Sequence, residues 1–98
     1  MFTTEEQAKE VVELSEALKR LEQNADFKRV ITDSYFTDSI KGIVMTLAYS
    51  NENQIKERLN KLIGISNLQM FFAGIKAQGD RAREALADPS VFNAEETD

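Results

Sequence analysis

Pro89 is the only proline in the chain, and only four glycines (Gly42, Gly64, Gly74 and Gly79) stand among its 98 residues. Glycine supplies the positive-φ conformations that tight turns need, and proline pre-sets the turn backbone. A chain poor in both has few places to reverse direction. This argues strongly against a turn-rich β architecture such as a sandwich, which needs a turn signal every roughly 8–12 residues. The residues before Pro89 form long stretches compatible with helix. We expect an all-α fold: a small helical bundle of three to five helices over residues 1–88, followed by a short acidic tail over residues 89–98. One domain is expected, because two independent cores rarely fit below roughly 150 residues.

The first helix has candidate caps in Thr3 and Thr4, with Glu6 or Gln7 three residues on. Val11, Leu14, Leu18, Leu21 and Ala25 follow a 3–4 repeat and predict its inner stripe. Acids load its first turns (Glu5, Glu6, Glu10) and Lys19-Arg20 sit late, as the helix dipole favours. Asn24 or Asp26 can cap a second helix beginning at Phe27, where Phe27, Val30, Ile31 and Tyr35 share a face. The next apolar set, Phe36, Ile40, Ile43, Val44 and Leu47, lies on nearly the opposite side of the same ideal helix. Thr37 and Asp38, both N-cap types, stand at that jump, so the spacing predicts a break or sharp bend near Thr37.

Ser50 or Asn51 opens the third stretch, with Asn51 and Gln54 in capping-box spacing. Two apolar stripes run along it. Ile55, Leu59, Leu62, Ile63 and Met70 occupy one side; Ile65, Leu68, Phe72, Ile75, Gly79, Ala82 and Leu86 occupy the other. Either Gly64 ends one helix and Ser66 caps the next, or a single helix runs for about 36 residues and needs a second partner for its middle. Pro89 stops the helix, and within the acidic tail Val91-Phe92 is an apolar pair, either tucked back onto the bundle or available for docking.

Histidine, cysteine and tryptophan are absent. Imidazole acid–base catalysis, thiol nucleophiles, disulfides, and zinc, haem or iron–sulfur sites built on those ligands are excluded with them. No glycine-rich segment has phosphate-loop spacing. Glu6/Glu10/Glu13 and Asp33/Asp38 read as solvated helix faces, and no Glu-x-x-His set accompanies them. The polar cluster of Asp33, Ser34, Tyr35, Thr37 and Asp38 reads as a solvated corner before it reads as a site. Glu5/Lys9, Glu16/Arg20, Glu52/Lys56 and Glu57/Lys61 are favourable i,i+4 pairs worth about 0.2–0.5 kcal/mol each. We expect no enzyme activity, no cofactor and no metal.

Lys and Arg total 12 against 17 Asp and Glu, a net charge of −5. Asp88, Glu95, Glu96 and Asp98 carry −4 of that, so residues 1–87 sum to −1. A body this near neutrality lacks the basic face that phosphates require, and nucleic acid is not an expected partner. The longest uncharged run, Leu62 to Ile75, is fourteen residues, short of the about twenty that a bilayer span needs, so no membrane is expected either.

Ala25-Asp26-Phe27-Lys28-Arg29-Val30-Ile31-Thr32-Asp33-Ser34-Tyr35-Phe36, with Leu62-Ile63-Gly64-Ile65-Ser66-Asn67-Leu68 and Gly79-Asp80-Arg81-Ala82, resembles small all-helical proteins of tailed bacteriophages found among virion and assembly genes. The resemblance covers roughly residues 10–87. It implies a phage context and a protein-binding role, and it brings no catalytic residues.

Together these features predict a non-enzymatic protein-binding module, a virion component or assembly factor, resident in the host cytoplasm during assembly or in the virion. Leu68, Phe71, Phe72 and Ile75 on the helix face and Phe92 in the tail are the expected partner-binding residues, with other virion proteins or a second copy of the chain as partner. The alternative is a small acidic phage protein that binds and inhibits a host enzyme through its tail.

Overall fold

A computed structural model describes Phe2, residues 4–88 and Ser90. The chain is all-helical across these residues: α1 (Glu5–Gln23), α2 (Ala25–Phe27), a π-helical segment (Lys28–Asp38), α3 (Ser39–Leu47) and α4 (Glu52–Ala87). Because α2, the π segment and α3 follow one another without a gap, residues 5–87 form three helical stretches. Among the described residues no helix is long and apolar enough to cross a membrane.

Local chemistry sets the starts of these stretches. The Gln7 N–H donates to Thr4 Oγ1 (3.1 Å) and the Phe27 N–H to Asn24 Oδ1 (3.0 Å). Asn24 holds extended dihedrals, φ −69 and ψ 129, as an N-cap must. Asn51 and Gln54 form a reciprocal capping box: the Gln54 N–H donates to Asn51 Oδ1 (2.9 Å), and the Asn51 N–H donates to Gln54 Oε1 (3.0 Å).

The expected break near Thr37 is absent. Thr37 caps nothing; its hydroxyl donates to the Thr32 carbonyl five residues back (2.9 Å), and the Ser39 hydroxyl does the same to Ser34 (3.1 Å). The Ser39 N–H also reaches the Ser34 carbonyl. That backbone bond is the i→i−5 link of a π-helix, which turns about 82° per residue where an α-helix turns about 100°. Over the eleven residues from Lys28 to Asp38 the lag amounts to roughly 200°. That is the half turn by which the two apolar sets disagree. Unwinding, rather than bending, brings Phe27, Ile31, Tyr35, Phe36, Ile40, Ile43 and Leu47 to one half-buried side. Val30 and Val44 stay outside, 60% and 54% exposed. Sequence neighbours thus share a face, and the Tyr35 and Phe36 ring centroids lie 5.8 Å apart.

Gly64 does not end a helix. Helix α4 runs through it, and no described glycine has a positive φ. A Cβ placed at Gly64, or at Gly42 in α3, meets no atom within 4 Å. With helical backbone and open space, alanine should only gain. Gly64→Ala and Gly42→Ala are each expected to stabilise by about 1 kcal/mol, read in thermal melts as a rise of about 4–8 °C. A fall at Gly64 would show that the helix breaks there after all.

The chain divides into two compact units, Met1–Arg20 with Phe72–Asp98, and Leu21–Phe71. In the first, α1 and the end of α4 run antiparallel. Ala8, Ala82 and Ala85 form its core, flanked by Phe2, Val11, Val12 and Leu86. Ser15, also buried, stands where a Cβ on Gly79 would overlap its own Cβ and Oγ. Small side chains on both helices let the backbones approach this closely. In the second unit the helical rod from Ala25 to Leu47 pairs with the first half of α4, and Ile65, 2% exposed, is its one buried apolar side chain among the described residues.

Candidate functional site

Helix α4 is amphipathic in a way that its composition hides. Ile55, Leu62, Ile65, Leu68, Phe72, Ile75, Gly79, Ala82 and Leu86 are buried or half-buried, spaced by three or four residues from Leu62 onward. This is the second of the two expected stripes, joined by Ile55 and Leu62 from the first. The rest of the first stripe faces out: Leu59 is 45%, Ile63 57% and Met70 68% exposed. Phe71, beside Met70, is 61% exposed.

The expected partner-binding residues therefore separate. Leu68, Phe72 and Ile75 turn inward and are half-buried, so they pack their own units. Phe71 is exposed, and Phe92 lies outside the described residues. Sequence periodicity assigned all four helix residues to one surface because the run from Leu62 to Ala77 is apolar nearly all round. It also places Leu59, Ile63 and Met70 on one stripe, since their spacing of four and seven residues puts them on one helical row, but leaves open whether that stripe is core or partner face.

Between Leu59 and Phe71 this outward row is bordered by Asn60, Ser66 and Asn67. Lys61 is the one charged residue in that span, and it lies on the far side of the helix at 100° per residue. Depletion of charge around apolar side chains is the compositional mark of an interface centre. At their stated exposures the four large side chains present on the order of 500 Å², the size at which a monomer's largest apolar patch is often functional.

The ionic groups make no second site. Arg83 holds α1 and α4 together in the first unit: its guanidinium donates to Glu16 Oε1 and, at 3.1 Å, to Asp80 Oδ1, with Ser15 Oγ at 3.4 Å. The hydrogen bond from Arg83, and then its charge, hold the Glu16 carboxyl below its ordinary value. Glu16 thus pairs across the helices and not with Arg20, whereas Glu5 and Lys9 pair along α1 as their spacing allows (3.9 Å). These groups tie two helices, with the ion pair half-open to water, and present no nucleophile or proton relay. Among the described residues no cluster of acids could hold a metal ion. No known family, curated protein or solved structure matches the chain.

Proposed function

We propose that the chain is a non-enzymatic protein-binding module of tailed-phage particles or their assembly, and that it engages its partner through the outward row Leu59, Ile63 and Met70 of α4, with Phe71 at its edge. The observation that carries the reading is that row, exposed and uncharged on the longest helix of the chain. The phage setting rests on the sequence resemblance, and the protein-binding role on the row. A partner helix laid along it gains apolar burial at about 25 cal/mol per Å² without displacing any ion pair. The acidic tail favours the rival role, a host-enzyme inhibitor, because −4 in eleven residues suits a basic target.

The test places a photo-crosslinking side chain at Met70 and, as a control, at Lys61 on the opposite side, in cells producing the particle. Met70 is expected to crosslink a particle protein or a second copy of the chain, and Lys61 is not. With the crosslinking side chain moved to Phe71, Ile63→Glu with Met70→Glu should remove the crosslink and weaken the complex at least a hundredfold, about 2.7 kcal/mol. As exposed positions, both should change stability by less than about 1 kcal/mol. Unchanged binding by the double variant defeats the reading. Capture of a host enzyme, lost on truncation after Asp88, replaces it with the inhibitor role.

A further inference from the structure

The side of α4 that carries Lys61 faces a trough within the second unit. Ser39, Ile43 and Thr46 form one wall and Arg58, Lys61 and Ile65 the other, enclosing about 480 Å³. Gly42 and Gly64 also line it, and neither has an atom within 4 Å of where a Cβ would stand. The missing side chains are what keep the space open. Past Tyr35 and Ser39, which line both parts, the trough continues into a space of about 420 Å³ between Val30, Ile31 and Leu68. Its two ends differ in chemistry: one carries two cations and the other is apolar.

The cations have no acidic partner. Arg58 donates to Ser50 Oγ, and among the described residues neither Arg58 nor Lys61 pairs with a carboxylate. Glu57 is four residues before Lys61, where a pair would be favourable, yet none forms. Two positive charges beside the apolar side chains of Ile43 and Ile65 favour an anion that brings an apolar body with it. An extended peptide fits less well. Its backbone groups need partners along the whole trough, and among the described residues the apolar end offers only the hydroxyls of Ser34 and Ser39 besides Tyr35. The Ser39 hydroxyl already donates to the Ser34 carbonyl. An alkyl chain needs none. From Arg58 to Leu68 the helix spans about 15 Å, room for a chain of several carbons.

We propose that this trough binds a single-chain alkyl carboxylate, its head group at Arg58 and Lys61 and its chain along Ile43, Ile65 and Leu68. The proposal is independent of the outward row, which lies on the other side of α4.

The experiment titrates the full chain with octanoate, 1-octanol and acetate, by calorimetry and by amide shifts in NMR. Octanoate is expected to saturate one site and to move the Gly42 and Gly64 amides. Octanol and acetate, each lacking half of the ligand, should bind at least tenfold more weakly. Arg58→Met with Lys61→Met should lower octanoate affinity tenfold or more and leave octanol unchanged. Gly64→Leu should fill the trough and abolish binding in a protein that melts no lower than the parent, so lost binding is not lost folding. Equal binding of octanol or acetate, octanoate binding that survives Gly64→Leu, or no saturable binding at all overturns the proposal. So does tighter binding at these amides by a synthetic peptide of residues 88–98, which would make the occupant the chain's own acidic tail.

Discussion

Gly79→Ala is expected to lower the melting temperature by about 5–15 °C, although the same change in an open helix interior raises it. The two effects can be compared directly. Alanine is favoured over glycine within a helix by about 1 kcal/mol. Against that, the new methyl at residue 79 would overlap Ser15, and the atoms met include Ser15 Cβ, which no rotamer can move aside. Overpacking of this kind costs about 1–3 kcal/mol, and at 4–8 °C per kcal/mol for a chain of this size the net loss is visible in a melt. The decisive arm is the exchange. In a Ser15→Gly background the obstruction is gone, and Gly79→Ala should then raise the melting temperature. Ser15→Ala keeps the Cβ and should restore little. If Gly79→Ala stabilises the parent chain, α1 and α4 do not meet at this point and the first unit is packed otherwise.

That contact also shows what the sequence reveals and what it conceals. Features decided within one turn of helix are legible: the capping residues Thr4 and Asn24 and the Asn51–Gln54 box belong to the expected sets. The inner stripe from Ile65 to Leu86 is legible too, because its 3–4 spacing holds over six turns. The inner face of α1 is less so. Val11 and Leu18 belong to it as expected, but Leu14 and Leu21 are 53% and 46% exposed, while Ala8 and Ser15 are buried. An apolar periodicity weights large side chains, whereas this seam is made of small ones, and their value lies in the close approach of a partner helix that the α1 sequence does not contain. The exposure of the outward row on α4 was hidden for the converse reason. Where both faces are apolar, only the position of the neighbouring helix decides which is covered, so Leu68, Phe72 and Ile75 went inward and Leu59, Ile63 and Met70 stayed out.

The π segment was visible as a discrepancy but was open to two explanations, and a change in chain length separates them. Removing two residues from an α-helix rotates everything beyond by about 200°, the same lag that eleven π residues accumulate. Deleting Asp33 and Ser34, both exposed, should therefore let the stretch from Ala25 to Leu47 wind as an ordinary α-helix with every member of its two apolar sets except Tyr35 on one side. The length is nearly kept as well, since a π-helix rises less per residue. This shortened chain is expected to fold and to melt at or above the parent temperature, because i→i−4 hydrogen bonds have better geometry than the wider π turn. Inserting two alanines after Asp33 asks for a further 200° of unwinding that the segment cannot supply. Phe36, Ile40, Ile43 and Leu47 then leave the half-buried side. Full burial of such side chains is worth about 1.5–3 kcal/mol each, so losing part of it at four positions costs on the order of 3–4 kcal/mol. A chain of this size would melt lower by about 15–30 °C. A hinge near Thr37 gives a different result, because a flexible joint absorbs two residues gained or lost with little change in either direction. Opposite responses to deletion and insertion thus identify a single rod whose pitch is matched to its sequence, and equal tolerance of both would restore the bend.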